Sequence, residues 1–219
     1  MFAGEIISRN IPILQLDDNA GKALQEMNDF HVSHLPVAND DKYLGLISEE
    51  NLLDNDENST MGSLKGVFTA PFVWENDFFL MAVKRARDLH LSVVPVLTER
   101  YELLGSIGEG DLFRHLAVFS GIAEQGGVII LEMEKNDFSA GELNRLIESN
   151  DAYITQLNSF FDTTSQLLTI TLRTNKAEIS DIVATLQRHE YHIKYYYGEE
   201  LYQNELQNNF VHLMNYLNI

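Results

Sequence analysis

An α+β fold in two domains is predicted by three features of the sequence. The first is an internal repeat. His34-Leu35-Pro36-Val37 with Leu44-Gly45-Leu46-Ile47-Ser48-Glu49-Glu50-Asn51-Leu52 returns as Val93-Val94-Pro95-Val96 with Leu104-Gly105-Ser106-Ile107-Gly108-Glu109-Gly110-Asp111-Leu112. Pro12/Pro71, Asp18/Asp77, Ala23/Ala82, His31/His90, Ser33/Ser92 and Pro36/Pro95 share one spacing of 59 residues, and a fixed spacing marks a duplicated structural unit. The second is that each copy alternates helical and strand periodicity in the order β-α-β-β-α. The third is that the chain beyond Gly121 to Gly127 leaves the repeat and reads β-α-β-β-α-β, the order of the ferredoxin-like split βαβ pattern.

In the first copy, about residues 1–55, Ile11-Pro12-Ile13-Leu14 predicts a short leading strand, and Asp17-Asp18-Asn19 offers caps for a helix. Ala20, Ala23, Leu24 and Met27 give that helix one buried face. His31 to Val37 and Tyr43 to Ser48 predict a hairpin turning at Asn39-Asp40-Asp41, and Glu49 to Leu53 opens a second helix. Asp54 to Leu64 is acidic and aperiodic and reads as a linker. The second copy, about 65–120, repeats the plan from Thr69-Ala70-Pro71-Phe72-Val73, with Glu75-Asn76-Asp77 as caps and Ala82, Val83, Ala86 and Leu89 as the apolar face. Neither copy can cover its own sheet. The two are expected to pack face to face about a pseudo-twofold axis as one domain, residues 1–121.

A second domain is expected over residues 127–219. Val128 to Met133 predicts a strand, and Ser139 caps a helix with Leu143, Leu146 and Ile147 inward. Tyr153 to Phe161 and Leu167 to Arg173 predict a hairpin, Ile179, Ile182, Val183 and Leu186 a helix, and His192 to Tyr197 a strand. A last helix would carry Leu206, Phe210, Leu213, Met214 and Leu217 on one face.

Composition removes several function classes. The 219 residues include 33 Asp and Glu against 15 Lys and Arg, a net charge of −18, and no Cys. Disulfides, thiolate metal ligands and thiol nucleophiles are therefore excluded. An acidic surface repels phosphate backbones and anionic lipid, so neither nucleic acid nor membrane is an expected partner. No stretch approaches the roughly 20 apolar residues of a membrane span, and the first residues lack a basic n-region; a cytoplasmic location is expected. Gly-x-Ser-x-Gly, a Walker loop and His-Glu-x-x-His are all missing, and no enzyme is expected.

Other groups invite weighing. His31-x-x-His34 has metal-ligand spacing, but His31 recurs as His90 while His34 becomes Val93. A cation near a helix C-terminus accounts for the repeated His more simply, and no metal is expected. Tyr195-Tyr196-Tyr197 alternates between the two faces of a strand and cannot form one stacking platform; a dimer contact and ordinary strand packing both stay open. Trp74, the only Trp, reads as packing.

The repeat, its Pro-bearing strand and the polar step before each last helix resemble a pair of CBS domains over about residues 1–120. The third region resembles an ACT domain over about 127–200, and the order is similar to that of the acetoin-utilisation CBS-ACT family. The resemblance implies an adenosyl ligand in the cleft between the two sheets. Backbone beside the strand before the Pro would hold adenine, and a Ser/Thr-x-x-Asp step would hold ribose and phosphate. On this sequence that implies Ser33, His34 and Leu35 with Ser92, Val93 and Val94 along the strands, and Ser48, Asn51, Asp111 and Arg114 at the steps.

Both steps depart from the pattern. Ser48-Glu49-Glu50-Asn51 keeps the hydroxyl and loses the Asp; Gly108-Glu109-Gly110-Asp111 keeps the Asp and loses the hydroxyl. Glu49 and Glu109 would repel phosphate, so AMP or another adenosyl compound is expected rather than ATP, in at most one good site. The alternative is that these steps only cap their helices, in a structural or protein-interaction module whose nucleotide sites have decayed. In the third region Asp137-Phe138-Ser139-Ala140-Gly141-Glu142-Leu143 lacks the Pro of the ACT amino-acid motif, which favours a plain capped loop over a zwitterion site at Asp137 and Gly141. Both families commonly dimerise, so the resemblance implies a homodimer of a non-catalytic regulatory protein.

Overall fold

The structure is a computed structural model and describes residues 1–8 and 10–198. The helix expected around Leu206 to Leu217 lies outside the described residues. The chain divides into two compact units, Met1–Phe119 and Ser120–Ile219.

In the first unit, α1 (Ala20–Phe30) starts at Asn19, whose side chain accepts the Lys22 N–H, and buries Ala20, Ala23 and Met27. It feeds the hairpin of β1 (His34–Asn39) and β2 (Lys42–Ser48), followed by α2 (Glu49–Leu53). The second copy repeats this with β3 (Val73–Trp74), α3 (Leu80–Leu89), β4 (Val93–Leu97), β5 (Leu103–Gly108) and α4 (Glu109–Phe119). Repeated residues do repeated work. Asp18 accepts the Gln15 N–H at 2.8 Å and Asp77 the Trp74 N–H at 2.9 Å. The Glu49 and Glu109 amides bond Ser33 and Ser92 carbonyls, both at 2.9 Å.

The leading segments cross between the copies before joining their own sheets. Leu46 exchanges backbone hydrogen bonds with Thr69, and the Ser8 amide donates to the Ser106 carbonyl at 2.9 Å. Further along, Leu14 bridges Val37 in parallel, and β3 lies parallel to β4. Gly45 and Gly105 permit this crossing: with φ of +154° and +150°, they stand where a Cβ would meet Thr69 O and Ile7 Cγ2, each at 2.7 Å. One core therefore mixes both copies, with Leu46 among Val73, Phe79, Val93, Val94 and Ile107.

Three local expectations are corrected. Each leading strand is shorter than predicted, a single bridge at Leu14 and two residues at β3, because residues 11–13 and 69–72 are spent crossing between the copies. His31 does not begin a strand; like His90 it is the left-handed residue closing its helix, at φ 54° and 53°, the helix-end position expected of the repeated His. Residues 54–64 are not a loose linker. They strap the start of α1, with the Ala20 and Gly21 amides bonding Ser59 and Glu57 carbonyls at 2.9 Å and Met61 fully buried. A strap that relies on backbone bonds and one Met shows no periodicity.

In the second unit, β6 (Val128–Met133), α5 (Ala140–Glu148), β7 (Ile154–Asp162), β8 (Leu167–Thr174), α6 (Ser180–Arg188) and β9 (His192–Tyr197) form a four-stranded antiparallel sheet in the order β7-β8-β6-β9. This is the ferredoxin-like arrangement, with Ile129, Leu131, Ile170 and Leu172 packed against Leu143, Ile147, Ile182 and Leu186. Ser139 caps α5 by accepting the Glu142 N–H. Tyr196 packs on that core while Tyr195 and Tyr197 are exposed, as strand alternation requires.

Candidate functional site

Among the cavities along the seam between the copies in the first unit, two contain the polar steps, and each draws on both copies. The first, of about 710 Å³, is lined by Ser33, His34 and the step Ser48 to Asn51 from the first copy, and by Thr69, Ala70, Pro71, Arg85 and Leu89 to Leu91 from the second. The second, of about 760 Å³, inverts the arrangement. It takes Gly108 to Asp111, Phe113 and Arg114 from the second copy, and Ser8, Asn10, Ile11 and Asp29 to Val32 from the first; Ser92 also lines it. Both volumes suit a nucleotide-sized molecule.

The steps differ in what they leave available. In the first cavity Ser48 Oγ accepts the Asn51 N–H at 3.2 Å and caps α2, which leaves its O–H free to donate. Asn51 Nδ2 reaches the Val67 carbonyl at 3.4 Å, leaving Oδ1 as an acceptor. Glu49 and Glu50 bring negative charge and Arg85 positive charge, and among the described residues Arg85 makes no salt bridge. Burial holds the His34 imidazole below its usual pKa, so the ring is neutral at pH 7. The cap itself has a measurable worth. Ser48→Ala is expected to cost about 1 kcal/mol and Ser48→Gly only a few tenths, read by urea unfolding.

In the second cavity the carboxylate is already engaged. Asp111 accepts from the Ser8 hydroxyl and pairs with Arg114, while Ser8 Oγ accepts the Gly108 N–H at 2.9 Å. This ties the first residues of the chain to the last helix of the unit. Among the described residues no cluster of three or more His, Asp or Glu could hold a metal ion, and no helix is long and apolar enough to cross a membrane.

Residues 3–58 match the family model of the CBS domain. The CBS match covers the first copy and the first residues of the strap. Among solved structures, the chain is similar to a CBS domain pair/ACT domain protein from Thermotoga maritima, at 20% identity and TM-score 0.49 over 54% of this chain and 98% of that one. It is similar to CBSX2 solved in complex with AMP, at 18% identity and TM-score 0.47 over 54% and 98%. It is also similar to a proposed acetoin utilization protein from Vibrio cholerae, at 14% identity and TM-score 0.47 over 56% and 95%. No curated protein sequence matches the chain.

The residues expected from the CBS resemblance fall into three groups. Ser33, His34, Ser48 and Asn51 come together in the first cavity, and Ser92, Asp111 and Arg114 in the second. Leu35, Val93 and Val94 are fully buried core side chains; only their strand backbone runs beside the seam. Ser8, Asn10, Thr69, Ala70, Pro71 and Arg85 were not expected. Asn10 and Thr69 occupy equivalent repeat positions, which was the available signal. Their reach into the opposite copy leaves no mark in a linear sequence.

Proposed function

We propose that the chain is a non-catalytic regulatory protein that binds AMP or a related adenosyl compound in the first cavity. The observation that carries this reading is that one cleft built from both copies gathers Arg85, a cation without a salt bridge among the described residues, with an amide oxygen on Asn51 and a hydroxyl proton on Ser48 that have no hydrogen-bond partner there, and a neutral imidazole on His34. Asn51 suits ribose hydroxyls, and one guanidinium suits one phosphate, with Glu49 and Glu50 set against a longer polyphosphate. The CBS match over residues 3–58 supports the same ligand class. A ligand touching both copies binds one arrangement of them better than another, which is what regulation requires.

The second cavity supports the structural reading for its own half. There Asp111 serves as a bolt to Ser8 and Arg114 rather than as a ribose acceptor. The test is thermal unfolding of the full chain with AMP, adenosine, ATP and S-adenosylmethionine. A ligand at about 100 times its Kd adds about 2.7 kcal/mol of stability. AMP is expected to raise the Tm. Arg85→Gln should remove most of the gain from AMP and leave that from adenosine, and Asn51→Ala should reduce both. No shift with any of the four compounds would favour the purely structural module.

A further inference from the structure

His34 stands on the seam between the copies. Its Nδ1 receives the Ser92 backbone N–H at 3.3 Å and lies 3.2 Å from both Ser92 Oγ and Ser33 Oγ. Ser92 Oγ in turn accepts the Ser33 backbone N–H at 3.0 Å. A backbone N–H can only donate, so Nδ1 is the acceptor and the single proton of the neutral ring sits on Nε2. Nε2 has no hydrogen-bond partner among the described residues, and His34 lines the first cavity. The equivalent position in the second copy is Val93, fully buried, so the donor exists on one side of the pseudo-twofold axis only.

We propose that His34 reads the ligand of the first cavity by donating its Nε2–H to an acceptor atom of the occupant, and that Ser92 of the other copy holds the ring in the donating form. This rests on the adenine reading above; the acceptors such a ligand offers are purine ring nitrogens and ribose or phosphate oxygens. Protonating the ring places a second N–H at Nδ1, donor against donor with the Ser92 amide, and the bond across the seam is lost. The titratable groups sharing the cavity are Glu49 and Glu50 from the start of α2, and Arg85 on α3 with His90 just after it. The carboxylates favour the imidazolium and Arg85 opposes it, while burial, which lowers the imidazole pKa, works against it too. The sign follows. The unfolded chain takes up this proton first, near pH 6.5. Stability attached to His34 is therefore full above that pH and falls as pH drops toward the lower folded pKa, then changes no further.

The experiment is calorimetric titration of the full chain with adenosine between about pH 8 and pH 5.5, the range in which a histidine titrates. Adenosine is the probe because the phosphate of AMP itself titrates near pH 6. Wild-type affinity is expected to hold from pH 8 to about pH 6.5 and to fall only below it, as the pH nears the lowered folded pKa of the imidazole. His34→Gln, which keeps a donor and an acceptor and does not titrate, should bind at every pH with about the affinity that the wild type shows near pH 8. His34→Phe should bind about tenfold more weakly throughout, the loss of one hydrogen bond. Nitrogen-15 spectra of the imidazole, without ligand, should show the Nε2–H form. Full affinity in His34→Phe overturns the ligand-reading role and leaves the adenine reading standing. An Nδ1–H form overturns the proposal whatever the ligand does. Nε2–H spectra with no adenosine or AMP binding at any pH would mean that the adenine reading has failed, and the ligand-reading role with it.

Discussion

Replacing Gly45 with alanine is expected to destabilise residues 1–119 by roughly 2–6 kcal/mol, among the largest effects of any single methyl group in that unit. Two costs combine. The backbone at φ +154° lies in a region side chains rarely adopt, worth about 1–3 kcal/mol. The new Cβ would also meet Thr69 O at 2.7 Å and Phe68 Cβ at 2.8 Å, and overpacking costs about 1–3 kcal/mol. Thr69 cannot step aside, because its carbonyl accepts the Leu46 N–H at 2.6 Å and its own amide returns the bond at 3.0 Å. The equivalent Gly105→Ala meets only Ile7 Cγ2, a side-chain atom with more room to yield, and should cost less. Gly66→Ala, with nothing within 4 Å, serves as a near-neutral control. Urea unfolding followed through Trp74, the single tryptophan, reads this unit directly. A Gly45→Ala variant as stable as the Gly66→Ala control would mean that the crossing segment is not held as described.

Phe79→Ala should cost about 3–5 kcal/mol, the usual range for emptying a buried aromatic site. Phe79 is fully buried, the largest such side chain in the unit, and meets Phe78 and Phe119 edge-on with ring centroids 5.1 and 5.4 Å away. It also fixes the start of the chain. The Ala3 amide bonds the Asp77 carbonyl at 2.8 Å, and Phe2 bridges Phe78. Removing the ring should therefore raise hydrogen exchange at the amides of Ala3 and Gly4 before the β4–β5 hairpin responds. A loss below about 1 kcal/mol, within the range of surface substitutions, would contradict the packing described.

Much of the architecture was legible because its determinants are local and repeated. Asp18 and Asp77, Ser33 and Ser92, and the capping Ser48 and Ser139 act within a few residues of themselves, so spacing alone reveals them. The ferredoxin-like order of the second unit was likewise carried by strand and helix periods. What escaped notice depends on contacts between distant segments. Gly45 and Gly105 recur in the sequence, yet the reason for a glycine is a segment of the other copy. Arg85 is an ordinary surface cation of a helix until the fold sets it beside Ser48 and Asn51. The strap at 54–64 looked like a linker because backbone bonds, rather than side-chain periodicity, hold it. His34 was named as a strand residue, while its tautomer is decided by an amide 58 residues away.

The crossing of the leading segments also sets a timetable for synthesis. Ser8 makes its bonds to Gly108 and Asp111, 100 and 103 residues later, and β2 finds its neighbour only when Thr69 exists. At about 5–20 residues per second, Ser8 waits some 5–20 s for its partners and β2 about 1–5 s for Thr69, and until then the β1–β2 hairpin offers an unpaired edge to any other nascent chain. Pairing across such separations is slow even after release. An unfinished first half is therefore exposed until the second is made, and expression at lower temperature or with a chaperone should recover more soluble protein than any single surface substitution.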